Sequence, residues 1–275
     1  MKTLIVGANS FTATKLIEVL KFDYLIGLFN NKSNRIDFQR YKSTYNSLKE
    51  LHNDEKYFDT IYLIGAFIPY GNFNTPNKQF VTSNIELVAQ LSTLYPESKI
   101  IFFSSISVYG NSIKNWINEY SAFDNPNLYG LSKIAGESIV KNHNRYAILR
   151  ISSIWGIGVE ENTFIPRLIK QAKEKGIITI YGKGNRKQNY IHYDDLIKIA
   201  QRANNLTENG IFLAVAEKSV SNLKIAEKVA SKTNSTIEFV GVDTSPSLTV
   251  DASESYKILQ YKPQKDILKN IDELL

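Results

Sequence analysis

The first twenty residues limit the fold more than any other stretch. Lys2-Thr-Leu-Ile-Val6 is an apolar run of strand length. Gly7-Ala8-Asn9-Ser10-Phe11-Thr12-Ala13 follows as a turn, and Leu16, Ile17 and Leu20 then repeat at helical spacing. A buried strand, a glycine turn and an apolar-faced helix make the opening unit of a dinucleotide-binding α/β fold. In that unit the turn lets backbone approach a pyrophosphate, and the helix N-terminus faces its charge. A Gly-x-x-Gly-x-x-Gly spacing is expected of such a turn. This chain has Gly7, Ser10 and Ala13, small residues that still permit close approach.

The rhythm continues along the chain. Strand-length apolar runs recur at 24–29, 61–64, 99–103 and 146–150, with helical stretches at 78–94 and around Tyr129. Residues 31–58 are polar and alternate poorly, which suits a loop with one or two short helices. Alternating β and α over the first 155 residues predicts a parallel sheet with helices on both faces. After Gly156 the pattern changes. It reads as a helix over 163–175, a strand over 177–181 and the basic turn Gly182-Lys183-Gly184-Asn185-Arg186. A helix ending near Ala203, a strand over 210–215, a helix over 221–231 and a short last helix follow. The predicted class is α/β: a Rossmann-type doubly wound parallel sheet with a smaller C-terminal α/β substrate lobe. Residues 1–155 read as an NAD(P)-binding domain and 156–275 as the small substrate-binding lobe, with 191–215 returning to the first.

Composition excludes several chemistries. There is no cysteine, which removes disulfides, iron–sulfur clusters and thiol catalysis. The three histidines (His52, His143, His192) are scattered, so no metal site is expected. The net charge of +6 is spread without a basic stripe, which suits an anionic small molecule rather than nucleic acid. No run approaches about 18 apolar residues, so no membrane span is expected. Thr3 to Val6 is too short for a secretory apolar core, and the reading is cytoplasmic.

Chemistry enters at Tyr129-Gly130-Leu131-Ser132-Lys133. Tyr129 and Lys133 lie one turn apart on one helix face. A phenol ordinarily titrates near about 10 and is a poor base at neutral pH. A neighbouring ammonium favours the phenolate and makes the tyrosine a usable acid/base. Ser104-Ser105 ends the fourth strand, at the carboxyl edge where open α/β sheets bind ligands. The second strand runs into Asn30-Asn31-Lys32-Ser33, with Arg35 beyond. An acidic residue there would bind the ribose 2′-hydroxyl of NAD. Its replacement by Lys32 and Arg35 leans the cofactor toward NADP(H).

Four segments stand in order: Val6-Gly-Ala-Asn-Ser-Phe11, Phe103-Ser-Ser-Ile-Ser-Val-Tyr-Gly110, Tyr129-Gly-Leu-Ser-Lys133, and Ile180-Tyr-Gly-x-Gly184 leading to Tyr190-Ile-His-Tyr-Asp-Asp-Leu196. Together they resemble the extended short-chain dehydrogenase/reductase family, in its branch of nucleotide-sugar epimerases and dehydratases. Asp251-Ala-Ser and Leu259-Gln-Tyr-Lys-Pro263 resemble the family's tail pattern.

The resemblance implies roles by position. Ser105 corresponds to the catalytic serine or threonine that bonds the reacting sugar oxygen. Tyr129 corresponds to the general acid/base, and Lys133 to the residue that binds the nicotinamide ribose and lowers the tyrosine pKa. The implied cofactor contacts are Gly7, Asn9, Ser10, Phe11 and Thr12 in the first turn, and Asn30, Asn31 and Lys32 after the second strand. Ile64, Gly65 and Ala66 follow the third strand, Asn84 is a buried cofactor-side residue, and Ser104, Tyr129, Lys133, Ile151 and Ser152 surround the nicotinamide. Implied substrate contacts are Ser105, Tyr129, Ser153, Arg186 and Gln188; no metal is implied. Family members often dimerise through the helices flanking the tyrosine, so a homodimer is allowed.

Departures from the family refine the reading. The arginine that usually contacts the sugar diphosphate is Gln188, with Arg186 or Lys187 as substitutes. The substrate asparagine is Ser153, and the acidic pair that dehydratases place after the catalytic serine is Ile106-Ser107, which argues against dehydration. The sequence is also shorter than is typical of the family, which implies a trimmed C-terminal lobe. The expected function is NAD(P)-dependent oxidoreduction or epimerisation of a nucleotide-activated sugar at a 4-keto or 4-hydroxyl carbon. NADPH-dependent 4-keto reduction is slightly preferred over an NAD-retaining 4-epimerase. Two alternatives stay open: a reductase of a small non-sugar carbonyl compound, and a non-catalytic NAD(P)-binding sensor. His192, Asp194 and Asp195 are expected to be structural, with one aspartate capping the helix that follows.

Overall fold

The computed structural model describes residues 1–29, 38–69, 73–111, 116–159 and 163–275. Its centre is a seven-stranded sheet. The strands are β1 (Lys2–Val6), β2 (Tyr24–Leu28), β3 (Ser43–Tyr45), β4 (Thr60–Leu63), β5 (Lys99–Ser105), β6 (Arg145–Ile151) and β11 (Gly210–Ala214). Their order is β11-β6-β5-β4-β1-β2-β3, and every pair is parallel.

Both sheet faces are covered, because successive side chains point to opposite sides of a strand. Ile5, Ile101, Phe103, Ala147, Leu149 and Ile151 enter one core; Leu4, Val6, Ile100, Phe102 and Ile148 enter the other. The first core is covered by α1 (Phe11–Val19) and α7 (Tyr193–Asn205), through Leu16, Ile17, Leu196, Ile199 and Ala203. The second is covered by α2 (Leu48–Asp54), α4 (Leu87–Leu94) and α5 (Leu128–Val140), through Leu51, Val88, Leu91 and Val140.

The sheet order reverses direction between β1 and β4, which opens a crevice beyond their carboxyl ends. There Gly7 and Gly65 abut. Gly7 has φ +83°, and a side chain on it would meet the Gly65 Cα at 2.5 Å. Only glycine suits both the backbone angle and the contact.

A third core is built by α6 (Phe164–Lys175), α8 (Asn222–Thr233) and α10 (Ile267–Asn270), with the pair β8 (Ile177–Tyr181) and β13 (Thr236–Val240). Trp155, Leu168, Ile178, Tyr190, Ile225, Val229 and Ile271 fill it. Two small pairs join it to the sheet: β7 (Ser153–Trp155) with β10 (Tyr190–His192), and β9 (Lys187–Gln188) with β12 (Val220–Ser221).

Several elements differ from expectation. The helix expected over 78–94 is α3 (Gln79–Val81), a wider π segment at Thr82–Glu86, and α4. Residues 43–45 form an edge strand, although the 31–58 stretch reads as loop and short helix. The cap of α7 is not an aspartate. The His192 ring accepts from the Asp194 amide, while Asp195 binds the chain near its end: the Tyr261 hydroxyl at 2.6 Å and the Gln264 and Lys265 amides at 3.0 and 2.9 Å. Among the described residues, no helix is long and apolar enough to cross a membrane.

Candidate active site

β5 ends at Ser104 and Ser105, and a single turn of 3-10 helix, Ile106–Tyr109, follows. The Ser105 hydroxyl caps that turn by accepting the Ser107 amide at 3.1 Å. Asn127 caps α5 through the Gly130 amide, which sets Tyr129 in the first turn and Lys133 one turn on. A side chain at Gly130 would lie 2.4 Å from the Ser107 carbonyl. The missing side chain lets α5 rest directly on the turn after β5, and Ser105 and Tyr129 meet as a result.

Tyr129 is buried and its pKa is pushed up to about 12 by desolvation; the Ser105 hydroxyl facing the phenol pulls the other way. The Phe73 ring packs edge-on against it, 6.0 Å between centroids. Burial also pushes the Lys133 ammonium down to about 7, with Glu137 opposing, and Nζ sits 4.7 Å from the centre of the Phe102 ring. Desolvation thus disfavours the charged form of both groups in the ligand-free chain.

Behind the pair lies a buried polar network. Ser104 donates to Glu137 at 2.6 Å, and Arg150 grips both Glu137 oxygens at 3.0 and 2.8 Å. Arg150 also reaches the Tyr109 hydroxyl at 2.8 Å and the Glu119 carbonyl at 2.9 Å. Ser104, expected beside the nicotinamide, thus has its hydroxyl turned to α5. The Asn84 amide clamps Phe67 through two backbone bonds, at 2.7 and 3.0 Å, and donates to Ser132 at 2.9 Å. Asn84 sits in the π segment, whose wider turn carries its side chain between the loop after β4 and α5.

The first turn fits a dinucleotide. Gly7 and Gly65 bring backbone together at the crevice, and Ile64 and Gly65 donate to the Val6 carbonyl at 3.1 and 2.8 Å. Ser10 caps α1 by accepting the Ala13 amide at 3.2 Å, and Thr12 is buried behind it. Phe11 packs edge-on against Tyr193, and Asn9 and Ala66 flank the two turns. Ser152, after β6, has a buried hydroxyl with no partner among the described residues. Ile151 beside it is buried in the first core. Asn30, Asn31 and Lys32, with Arg35, lie outside the described residues.

The substrate candidates divide. Ser153 lines a cavity of about 130 Å³ with Thr163, Phe164 and Tyr190. Arg186 lines a separate cavity of about 560 Å³ between the Gly182–Arg186 turn and residues 239–247, and its Nε donates to the Pro246 carbonyl at 3.3 Å. Gln188 donates to Asn222 at 2.8 Å, an uncharged bond that holds β9 against the start of α8. Among the described residues no group of three or more acidic or histidine side chains comes together to hold a metal. Sequence reasoning missed the Glu137–Arg150 pair, although Lys133 and Glu137 repeat the one-turn spacing of Tyr129 and Lys133.

Comparison with known proteins agrees with this geometry. Residues 3–212 match the model of the NAD dependent epimerase/dehydratase family. A dTDP-D-glucose 4,6-dehydratase of Dictyostelium discoideum is 24% identical over 80% of the chain, but the match spans only 56% of that enzyme. An uncharacterized UDP-glucose epimerase, YtcB of Bacillus subtilis, is 25% identical over 98% of the chain and 96% of its own. Among solved structures, the UDP-glucuronic acid 4-epimerase of Bacillus cereus, in complex with UDP-glucuronic acid and NAD, superposes with a TM-score of 0.83 at 22% identity, covering 99% and 97% of the two chains. MoeE5, in complex with UDP-glucose and NAD, superposes at 0.84 with 18% identity and the same coverage. A family model spanning most of the chain, over a doubly wound sheet with a serine–tyrosine pair at its carboxyl edge, shows that the chain belongs to the NAD dependent epimerase/dehydratase family.

Proposed function

We propose that the protein carries out NAD(P)-dependent oxidoreduction at C4 of a nucleotide-activated sugar, with a 4-epimerase as the leading form. The observation that carries this reading is the meeting of Ser105 and Tyr129 beside the crevice between β1 and β4. The full-length likeness to a protein named as a UDP-glucose epimerase supports it.

The chain's own groups divide the work. The first turn and α1 hold the pyrophosphate, Ser152 and Lys133 hold the nicotinamide end, and bound NAD(P) supplies a hydride acceptor or donor at its ring. Ser105 donates to the reacting C4 oxygen. As a phenolate, Tyr129 takes the proton from that oxygen on oxidation, and as a phenol it returns the proton on reduction. Lys133, held near neutral pH by burial, regains its charge beside a developing phenolate and stabilises it. Lys183 and Arg186 face the larger cavity and offer positive charge to the nucleotide end, in place of a cation at Gln188.

One observation favours a second form. A phenol raised to about 12 rests protonated, which readies it to donate to a ketone oxygen. That suits net reduction of a 4-keto sugar, and the missing carboxylate after β2 suits NADPH as reductant.

Incubating the full-length protein with UDP-glucose or UDP-glucuronic acid and NAD⁺ tests the first form. A C4 epimer formed without net NADH supports it. Consumption of NADPH with a 4-keto nucleotide sugar, and no epimer, selects the reductase. Cofactor raising the melting temperature while no nucleotide sugar does so would transfer the reading to a small carbonyl substrate.

A further inference from the structure

Ser105 carries one proton and has more than one acceptor for it. Its oxygen accepts the Ser107 amide at 3.1 Å, and its hydroxyl donates to the Ser107 hydroxyl, also at 3.1 Å. The same hydroxyl faces Tyr129. A serine hydroxyl donates once, so a proton given to Ser107 is withheld from Tyr129 and from a substrate oxygen. Ser107 is held rigidly for this. It lies within the turn Ile106–Tyr109, its carbonyl accepts the Gly110 amide, and Gly130 of α5 presses against that carbonyl. Ser105, Ile106 and Ser107 remain partly open, whereas Val108 and Tyr109 are buried.

We propose that Ser107 is a positioning residue that accepts the Ser105 hydroxyl in the resting site and releases it toward Tyr129. Ser105 then switches between two acceptors. While Tyr129 is a phenol, Ser105 donates to Ser107. Once the phenol is deprotonated, Ser105 turns its proton to the phenolate, and Ser107 is left with its amide contact. The uncharged Phe73 ring packs against the phenol, and the charged groups of the same helix are Lys133 one turn on and Glu137 a further turn beyond, where it acts on Lys133.

The two states respond differently to loss of the Ser107 hydroxyl. With alanine there, the phenol state leaves the Ser105 proton without its acceptor, while the phenolate state keeps its donor. Ser107→Ala therefore lowers the pH at which Tyr129 titrates, by roughly half a unit for one ordinary hydrogen bond. Ser107→Thr keeps a hydroxyl on the same carbon and restores the midpoint.

This inference rests on Tyr129 as the acid/base, but its test reads the phenol without any sugar substrate. Full-length protein is labelled with ¹³Cζ-tyrosine, and the Tyr129 resonance is assigned by its loss in Tyr129→Phe. It is then followed from pH 8 to 11.5 in wild type, Ser107→Ala and Ser107→Thr, where the rising limb ranks the three midpoints. The expected order is alanine below wild type, with threonine matching wild type. An unchanged or raised midpoint in Ser107→Ala, or failure of threonine to restore it, overturns the proposal. Melting temperatures within a few degrees of wild type separate this effect from general loosening of the turn.

Discussion

Burial sets the charge of Lys133 before any ligand arrives. Its ammonium is lowered from 10.5 to about 7, so between those values the unfolded chain binds more protons than the folded one at this site. Stability then rises with pH through that window, by up to ~1.4 kcal/mol per unit of pH, and the full penalty is present below it. Lys133→Met removes this share. In urea titrations of cofactor-free protein, wild type gains more stability between pH 7.5 and 9.5 than Lys133→Met does, by roughly 1–2 kcal/mol. Lys99 is also lowered, to about 8, and stays in both proteins, so the difference isolates Lys133. Tyr129→Phe makes the opposite kind of change: the ring and its packing stay while the transferable proton goes. Hydride exchange with any nucleotide sugar is expected to fall at least ~100-fold, read as NADH or epimer formation, with little change in melting temperature.

At the scale of elements, the active-site corner depends on Glu137. Its carboxylate accepts from Ser104 on β5 and from Arg150 on β6, which ties α5 to two neighbouring strands. Glu137→Leu leaves the Arg150 guanidinium buried with its counter-ion gone. A loss of about 3–5 kcal/mol is expected in denaturant unfolding. Much of this architecture was legible beforehand. Continuous apolar runs, a glycine turn and strand–helix alternation mark the parallel sheet, and Tyr129 and Lys133 declare themselves by spacing. What escaped has physical reasons. β3 is a three-residue edge strand in a polar stretch, and β13 alternates polar and apolar residues but buries none of them fully. The π segment is invisible because its cause is distant: Asn84 turns to meet Phe67 and Ser132, which only the fold brings near. The burial of Tyr129 was not legible either, because it depends on neighbours from β5 and the loop after β4, not on the helix alone.

At the scale of the whole molecule, Asp195 fastens the last stretch to α7. Tyr261, Gln264 and Lys265 all donate to its carboxylate, and Ile267 and Ile271 then enter the third core, with α6 and α8. Asp195→Ala is expected to release that stretch. Limited proteolysis then cuts near residues 260–266 much sooner than in wild type, and the loss of stability is about 3 kcal/mol or more. A cut pattern equal to wild type counts against this anchoring role.

The central sheet takes its last strand from far along the sequence. β11 pairs with β6 only after 58 intervening residues, 152–209, and α7, which shields Ala147 and Leu149, arrives within that interval. A nascent polypeptide emerging from the ribosome would therefore hold an open, sticky sheet margin for some seconds of synthesis before the closing segment appears. Any gene dissection ending near residue 155 inherits that unsealed margin permanently, so such a fragment should aggregate instead of yielding a free-standing nucleotide carrier.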